Sequence, residues 1–451
     1  MSDSTTIAAF ATPAGSSALA VIRVSGELSR TVAENALGKA SVVPRRAFLG
    51  EYRSLSGKTL DECLCTFFEG PASYTGEDSL EICCHGNPFI SRRIIEDLFS
   101  RGCRSALPGE FTRRAFLNGK MDLSQAEAVS DVISANSERA YEAARKLLSG
   151  ELGRRIAAWN EKILTLLAET ETQIDFSDEE VPETNPEDFR MKVNALLCEL
   201  KRTEESSRYS SRVHEGVNVV IFGAPNAGKS SLMNAVLGTE RALVSPEAGT
   251  TRDFISESVS VGSHAVRLVD TAGIRDDAGS EIEKSGIRRS SECVEKADFL
   301  VFVVDVSEPP PVLSETFKKS VSPENTLIVF NKIDKKSYFN VSEFMTGFES
   351  VSLSLLDPGA SDIFKAKLSS LLEEKEIVPA EDVLVVSSRH AEALKKAESE
   401  LTAAAEIAGT VSAEFVSARL RNALEDLSEI LGKFDNEKVL DKVFSSFCIG
   451  K

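Results

Sequence analysis

Val217-Asn-Val-Val-Ile-Phe222 runs directly into Gly223-Ala-Pro-Asn-Ala-Gly228-Lys229-Ser230-Ser231, and this stretch decides the fold of the middle of the chain. The apolar run bounded by glycine predicts a buried strand. A strand followed by a Gly-x4-Gly-Lys-Ser turn and then helix-forming sequence makes a cradle for phosphates. Gly223 and Gly228 let backbone amides turn toward phosphate oxygens, with Asn226 and Ala227 in the turn between them. Lys229 brings a positive charge to the β- and γ-phosphates, and the Ser230 hydroxyl is a magnesium ligand, with Ser231 beside it. The fold expected around it is a P-loop α/β unit.

The downstream motifs extend that reading. Asp270-Thr-Ala-Gly273 follows the strand Ala265-Val-Arg-Leu-Val269. Asp270 is expected to hold magnesium through water, and the Gly273 amide to sense the γ-phosphate. Thr251, in Ala248-Gly-Thr-Thr-Arg-Asp253, is the expected switch threonine that closes on magnesium. Asn331-Lys332-Ile-Asp334 follows the strand Thr326-Leu-Ile-Val-Phe330. A carboxylate at Asp334 accepts from the N1 and N2 donors of guanine, which adenine cannot match, so GTP is the expected nucleotide. Ser354-Leu355-Leu356 is taken as a degenerate form of the remaining base-binding loop. Val385-Val-Ser-Ser-Arg389 looks more like that loop locally but lies beyond the expected last helix of the unit. One position departs from Ras-like switches: Ile274 stands where they carry a water-orienting glutamine. Isoleucine cannot orient water, so hydrolysis must draw on another polar group, a metal ion or a second subunit.

The rest of the chain is what such a switch would control. A length of 451 residues predicts two to four domains. A net charge of −18 argues against nonspecific coating of nucleic acid. Basic and acidic side chains balance over residues 1–118, so the acidity sits in later segments. No apolar run is long enough for a transmembrane segment, the N-terminus does not read as a secretory signal, and eight cysteines without framework spacing suit a reducing, cytoplasmic setting.

Residues 1–118 are expected to be mixed α/β, with strands at 18–24, 63–68 and 80–86 and a helix from Ser91 to Ser100. After Gly119 the periodicity becomes helical. Ser124-Gln-Ala-Glu127 fits a capping box at its start. An acidic break at 175–186 precedes a further helix over 186–210. Helical sequence returns from Ser388. The α/β unit therefore reads as an insertion into a discontinuous helical domain, giving divisions at 1–118, 119–212, 213–378 and 379–451.

Several further segments resemble the tRNA modification GTPase family called MnmE or TrmE, over essentially the whole chain. They are Thr6-Ile-Ala-Ala-Phe, Ile22-Arg-Val-Ser-Gly26, Ser73-Tyr-Thr-Gly-Glu-Asp78, Pro108-Gly-Glu-Phe-Thr112, Arg114-Ala-Phe-Leu-Asn118, Gln125-Ala-Glu127 and the ending Phe447-Cys-Ile-Gly-Lys451. The resemblance implies an N-terminal α+β domain that binds a tetrahydrofolate derivative (5-formyl or 5,10-methylene) and forms a homodimer. It implies a flavoprotein partner, GidA (MnmG), carrying FAD and using NADH, in a heterotetramer or larger complex. Together they would add an aminomethyl or carboxymethylaminomethyl group to carbon 5 of the wobble uridine of tRNA. By matching motif, Arg23, Glu81, Lys120 and Lys451 would contact folate. Arg and Lys suit a glutamyl tail, and a carboxylate suits a pterin edge. The plainer alternative is that Arg23 and Glu81 pair on a sheet face. The resemblance also implies a potassium ion at the nucleotide, held by Asn226 and by a segment containing Ser245, Glu247 and Thr250. Such a cation stabilises charge between the β- and γ-phosphates. Glu283 would activate water, with Glu281 close enough to take the role and a solvated switch-helix carboxylate as the plain reading. Cys448 would act near the folate as nucleophile, redox thiol or packing residue. The motifs of the α/β unit alone also suit a ribosome-assembly GTPase that performs no modification.

Two other signals carry less. Cys63/Cys65 and Cys83/Cys84 lack metal-ligand spacing and are expected to be buried structural thiols. Arg92, Arg93, Arg101, Arg104, Arg113 and Arg114 make either a phosphate-contacting patch or a solvated face.

Overall fold

The computed structural model describes residues 5–38, 42–175, 185–238, 256–270, 293–294, 296–311, 315–375, 377, 383–432, 437–445 and 447–450. They fall into two compact units. One comprises Met1–Ser130, Leu147–Val181 and Ser417–Lys451, the other Asp131–Lys146 and Pro182–Val416.

The first unit is built on a six-stranded sheet: β1 (Ile7–Phe10), β2 (Leu19–Ser25), β3 (Phe48–Arg53), β4 (Thr59–Phe68), β5 (Ser79–His85) and β6 (Arg104–Ser105). Its order is β3-β4-β5-β2-β1-β6, antiparallel except for the β1–β6 pair. The alternation of β2, β4 and β5 sends Ile22, Val24, Cys63, Cys65, Phe67 and Ile82 to one face. There they pack with Val32 and Ala33 of the helix Leu28–Ala36 and with Ile94 and Leu98 of the helix Pro88–Ser100. Burial pushes the Cys63 thiol up, Cys65 up to about 12 and Cys84 up to about 11, with neighbouring thiols adding to the effect, so these are inert core groups.

The expected strands at 18–24, 63–68 and 80–86 lie within or overlap β2, β4 and β5. β1 and β3 were not foreseen. β1 has only four residues, and the apolar pattern of β3 is broken by Gly50, where an added Cβ would lie 3.0 Å from the Leu37 carbonyl oxygen. The helix expected from Ser91 begins at Pro88 instead. Asn87 caps it by accepting from the Phe89 amide at 2.8 Å, and proline at the first turn needs no partner for an amide it lacks. The expected capping box also moves. The helix Leu123–Ser134 is capped by Asp122, whose Oδ1 accepts from the Gln125 amide at 2.9 Å while Gln125 Oε1 accepts from the Asp122 amide at 3.0 Å. The reciprocal pattern holds two residues earlier, because Asp122 is as good a cap as Ser124 and Ser124 donates to it at 2.6 Å. The chain's last segment joins this unit: Leu440, Phe444 and Phe447 pack on Leu123 and Ala126.

The second unit holds a sheet ordered β12-β11-β10-β7-β9-β8, with β7 (Val217–Gly223), β8 (Ser256–Val261), β9 (His264–Asp270), β10 (Phe299–Asp305), β11 (Thr326–Asn331) and β12 (Glu349–Ser352). All neighbours are parallel except β8 and β9. The central strands β7, β10 and β11 are apolar on both faces, as a sheet covered on two sides requires. Val219 and Ile221 face a core with the helices Lys229–Leu237 and Ala360–Glu374. Val220 and Phe222 face the opposite core, where Phe222 stacks on Phe302 with ring centroids 4.8 Å apart. The helices Pro186–Glu205 and Ser388–Ile407 belong to this unit, and Arg190 donates to the Ala405 and Ala408 carbonyls at 3.0 and 2.7 Å. The helix expected over 186–210 ends at Glu205 and tightens into a 3-10 turn at Ser206–Tyr209.

Candidate functional site

Four loops leave the carboxyl ends of β7, β10, β11 and β12, the edge where parallel α/β sheets bind ligands. The turn after β7 is shaped by two glycines. Gly223 sits at φ +149°, and a Cβ there would lie 2.2 Å from the Val303 carbonyl oxygen. Gly228 sits at φ +106° and caps the helix Lys229–Leu237, and a Cβ there would lie 2.2 Å from Asn331 Nδ2. No other residue type fits either place. The amides of this turn and the helix start form an anion cradle. Lys229 Nζ donates to the Gly223 and Ala224 carbonyls at 3.1 and 2.8 Å, which holds the ammonium in the turn. Ala227 is buried, while Asn226, Ser230 and Ser231 are exposed.

The loop after β11 closes onto this turn. Asn331 is buried, donates from Nδ2 to the Ala227 carbonyl at 2.8 Å and accepts from the Leu355 amide at 3.3 Å. One side chain thus ties three loops together. Lys332 Nζ donates to the Asn226 carbonyl at 2.8 Å. Asp334 is exposed, and its Oδ1 accepts from Ser354 Oγ at 2.6 Å. The Ser354 segment therefore lies beside the Asp334 carboxylate. Val385 instead packs with Tyr209 and Val213, and Ser387 caps the helix Ser388–Ile407.

A second cluster lies on the face of the first unit's sheet away from its two helices. Arg23 on β2 and Glu81 on β5 are cross-strand partners, and the guanidinium donates to Glu81 Oε1 at 2.8 Å from Nη2 and 3.1 Å from Nε. It also lies 5.4 Å from the Tyr74 ring centre and 5.8 Å from that of Phe111. Burial raises the Tyr74 phenol, against the lowering effect of its hydrogen bond to Thr112 and of Arg23. Lys120 Nζ donates to the Pro71 carbonyl at 2.8 Å. Ile449 bridges to Pro108, and the Gly109 amide donates to the Cys448 carbonyl at 3.4 Å, so the chain end lies next to the helix that carries Phe111. Gly450 fits closely against Phe10: an added Cβ would overlap the Phe10 carbonyl oxygen. Cys448 itself is exposed.

Two family models match the chain. Residues 6–120 match the N-terminus of the GTP-binding protein TrmE, and residues 123–448 match the MnmE helical domain. The chain belongs to the MnmE family. Its relatives named tRNA modification GTPase MnmE include one from Opitutus terrae, 46% identical over 450 residues and 99% of both chains. Those from Aquifex aeolicus and Akkermansia muciniphila are 39% and 38% identical, again over 99% of each chain.

Within this chain the sequence-identified residues divide into three groups. Asn226, Ala227, Gly228, Lys229, Ser230, Ser231, Asn331, Lys332, Asp334 and Ser354 meet along one edge of one sheet. Arg23 and Glu81 pair directly, while Lys120 and Cys448 have their described contacts elsewhere in the same unit. Ser245, Glu247, Thr250, Thr251, Gly273, Ile274, Glu281, Glu283 and Lys451 lie outside the described residues, as does the side chain of Asp270, whose backbone ends β9 opposite Ile221. Among the arginines singled out in the sequence, Arg101, Arg104 and Arg114 are tied into ion pairs. Arg114 is buried with Glu77 and Glu110, Arg101 bonds Asp97, and Arg104 bonds Glu110. Burial raises the Glu110 carboxyl, but bonds from Arg104, the Leu107 amide and Arg114 outweigh it and hold the pKa below the usual range. Sequence reading missed Tyr74 as a neighbour of Arg23, and Asp305. The signal for Asp305 was its position: it ends the apolar run Phe299–Val304 as Asp270 ends β9.

Proposed function

We propose that this chain binds and hydrolyses GTP and that its cycle drives modification of the wobble uridine of tRNA. The observation that carries the proposal is the bond from Asn331 Nδ2 to the Ala227 carbonyl, which brings the base-reading and phosphate-binding loops into one rim. Asp334, oriented by Ser354, accepts from the N1 and N2 donors of guanine. The turn amides and Lys229 neutralise the β- and γ-phosphates, so charge that develops on them during hydrolysis meets fixed donors. Ser230, with Thr251 and Asp270, would hold magnesium, whose bound charge assists phosphoryl transfer. Exposed Asn226, with Ser245, Glu247 and Thr250, would hold potassium, which supplies the charge that an arginine finger gives other GTPases. Gly273 would sense the γ-phosphate, and Glu283 would orient the attacking water that Ile274 cannot.

The modification belongs to the other cluster. Arg23, Glu81, Lys120 and Lys451 would bind a 5-formyl or 5,10-methylene tetrahydrofolate, with Cys448 at its edge. Tyr74 adds an aromatic wall beside Arg23. The functional division is an N-terminal folate and dimerisation domain at 1–118, helical segments at 119–212 and 379–451, and a GTPase domain at 213–378. The working form is a cytoplasmic homodimer joined by the flavoprotein GidA (MnmG), which brings FAD and NADH and acts with it on tRNA. The match to MnmE relatives over 99% of the chain favours this reading over a ribosome-assembly switch. GTP turnover in potassium chloride and in sodium chloride at equal ionic strength tests it. Turnover at least tenfold faster in potassium is expected, and equal rates would remove the potassium element.

A further inference from the structure

Lys332 and Asn226 share an uncommon property. Both are non-glycine residues with positive φ, +66° and +61°. Such conformations cost free energy and persist only where surrounding contacts hold them. Here the two residues are joined to each other, since Lys332 Nζ donates to the Asn226 carbonyl at 2.8 Å.

The ammonium has a second partner. Lys332 Nζ donates to Asp305 Oδ2 at 2.5 Å. Asp305 ends β10 directly beside Asn331 in the parallel register, and the Val306 amide donates to the Asn331 carbonyl at 3.1 Å. Its side chain is only 10% exposed. The other oxygen, Oδ1, accepts from the amide and hydroxyl of Ser307 at 2.9 and 2.7 Å. The carboxylate is therefore held on both sides and points one oxygen at the ammonium. Burial raises its pKa, but the bonds from Lys332 and Ser307 outweigh that and keep it below the usual carboxylate range. It stays ionised across the physiological range.

We infer that Asp305 is a positioning residue: it holds the Lys332 ammonium against the Asn226 carbonyl and so couples the base-reading loop to the phosphate loop. The inference rests on the reading of this rim as a GTP site. It has a consequence for the cation as well. Asn226 is the residue expected to present its side chain to potassium, and its backbone carbonyl is fixed by Lys332. Loosening Lys332 therefore frees the backbone that orients the Asn226 side chain. A bond between a buried carboxylate and an ammonium is among the stronger polar contacts, and removing the charge leaves the ammonium under-compensated.

The test compares the full-length chain with Asp305→Asn, Asp305→Glu and Ser307→Ala. GDP affinity is measured by titration, potassium half-saturation from GTP turnover, and thermal unfolding without nucleotide. Asp305→Asn keeps the shape and removes the charge. It is expected to weaken GDP binding about tenfold, the size of one charge-assisted hydrogen bond, and to raise the potassium half-saturation several-fold. Asp305→Glu should recover part of both. Ser307→Ala, which removes only a bond that orients the carboxylate, should shift both in the same direction by a smaller factor, and it carries the test if Asp305→Asn does not fold. GDP affinity and potassium half-saturation within twofold of the unaltered chain in Asp305→Asn, or in Ser307→Ala if it alone folds, would overturn the inference. So would a fall in unfolding temperature with both constants unchanged, which is the signature of a purely structural ion pair. If the unaltered chain binds no GDP, the GTP-site reading itself fails, and the inference with it.

Discussion

Asn331 Nδ2 and the Ala227 carbonyl oxygen lie 2.8 Å apart, and the amide that makes this bond is the group an alanine at position 228 would strike. The two motifs are separate in sequence and interlocked in space. Gly228→Ala would put a Cβ 2.2 Å from Asn331 Nδ2 and force a side chain into φ +106°. We expect a loss of stability of about 2 kcal/mol and a fall in GTP affinity of at least about tenfold. Chemical denaturation and nucleotide titration of the variant measure the two effects. Native affinity would mean that the rim does not need this approach.

In the proposed site Asp334 would read the base, and Ser354 Oγ holds it by donating to its Oδ1 at 2.6 Å. Asp334→Asn replaces an acceptor by a group that also donates, which suits a carbonyl at the purine 2-position better than an amino group. The variant should lose GTP affinity by about a hundredfold, as expected when a charged partner is lost, and gain in affinity for xanthosine triphosphate. Competition binding with the two nucleotides checks this. Ser354→Ala should weaken GTP binding less, without the switch in preference.

In the first unit, Arg23 and Glu81 allow two outcomes that one experiment separates. If the pair forms the folate site, Arg23→Gln and Glu81→Gln each weaken binding of 5-formyl tetrahydrofolate by more than about tenfold. If they only pair across the sheet, the variants keep affinity and change stability by about 1 kcal/mol or less, since Glu81 is 36% exposed. Calorimetric titration together with thermal unfolding decides.

Arg139 holds the turn between β8 and β9. Its amide donates to the Ser263 carbonyl at 3.1 Å, and its guanidinium reaches Glu373 at 3.1 Å, which also bonds His264 Nε2 at 3.1 Å. Burial depresses the His264 pKa, against the opposing effect of the hydrogen bond that its Nε2 donates to Glu373, and Arg139 depresses it further. The folded state thus disfavours the imidazolium. Below about pH 6.5 the unfolded chain takes up a proton that folded His264 does not, so stability falls as pH falls through that value. Glu373 is depressed by its bond to His264, despite some burial, and by Arg139, so its contribution is present above the ordinary glutamate value and is lost at lower pH. Denaturation midpoints between pH 8 and 5.5 should decline toward acid, and His264→Gln should flatten the part near pH 6.5. An unchanged slope in the variant would contradict this account.

The legible parts of the chain were those whose signal is local. The strand, turn and helix around Gly223–Ser230 are contiguous in sequence, and the two glycines and Lys229 are residue types that a phosphate-holding turn calls for. The pairing of Arg23 with Glu81 could be listed as an option but not decided, because register between β2 and β5 depends on the whole sheet. The capping box moved by two residues because Asp122 and Ser124 compete for the same role and only the helix start distinguishes them. Asp305 was illegible for a different reason. A single aspartate at a strand end has many uses, and its partner Lys332 lies 27 residues away.

The most direct test of the central claim is nucleoside mass spectrometry of tRNA from cells that lack this gene, complemented with the unaltered chain or with Lys229→Ala. The account predicts that wobble uridines lose their aminomethyl-type substituents in the deletion, regain them with the unaltered chain and stay unmodified with the variant. Wobble modification that survives the deletion would contradict it.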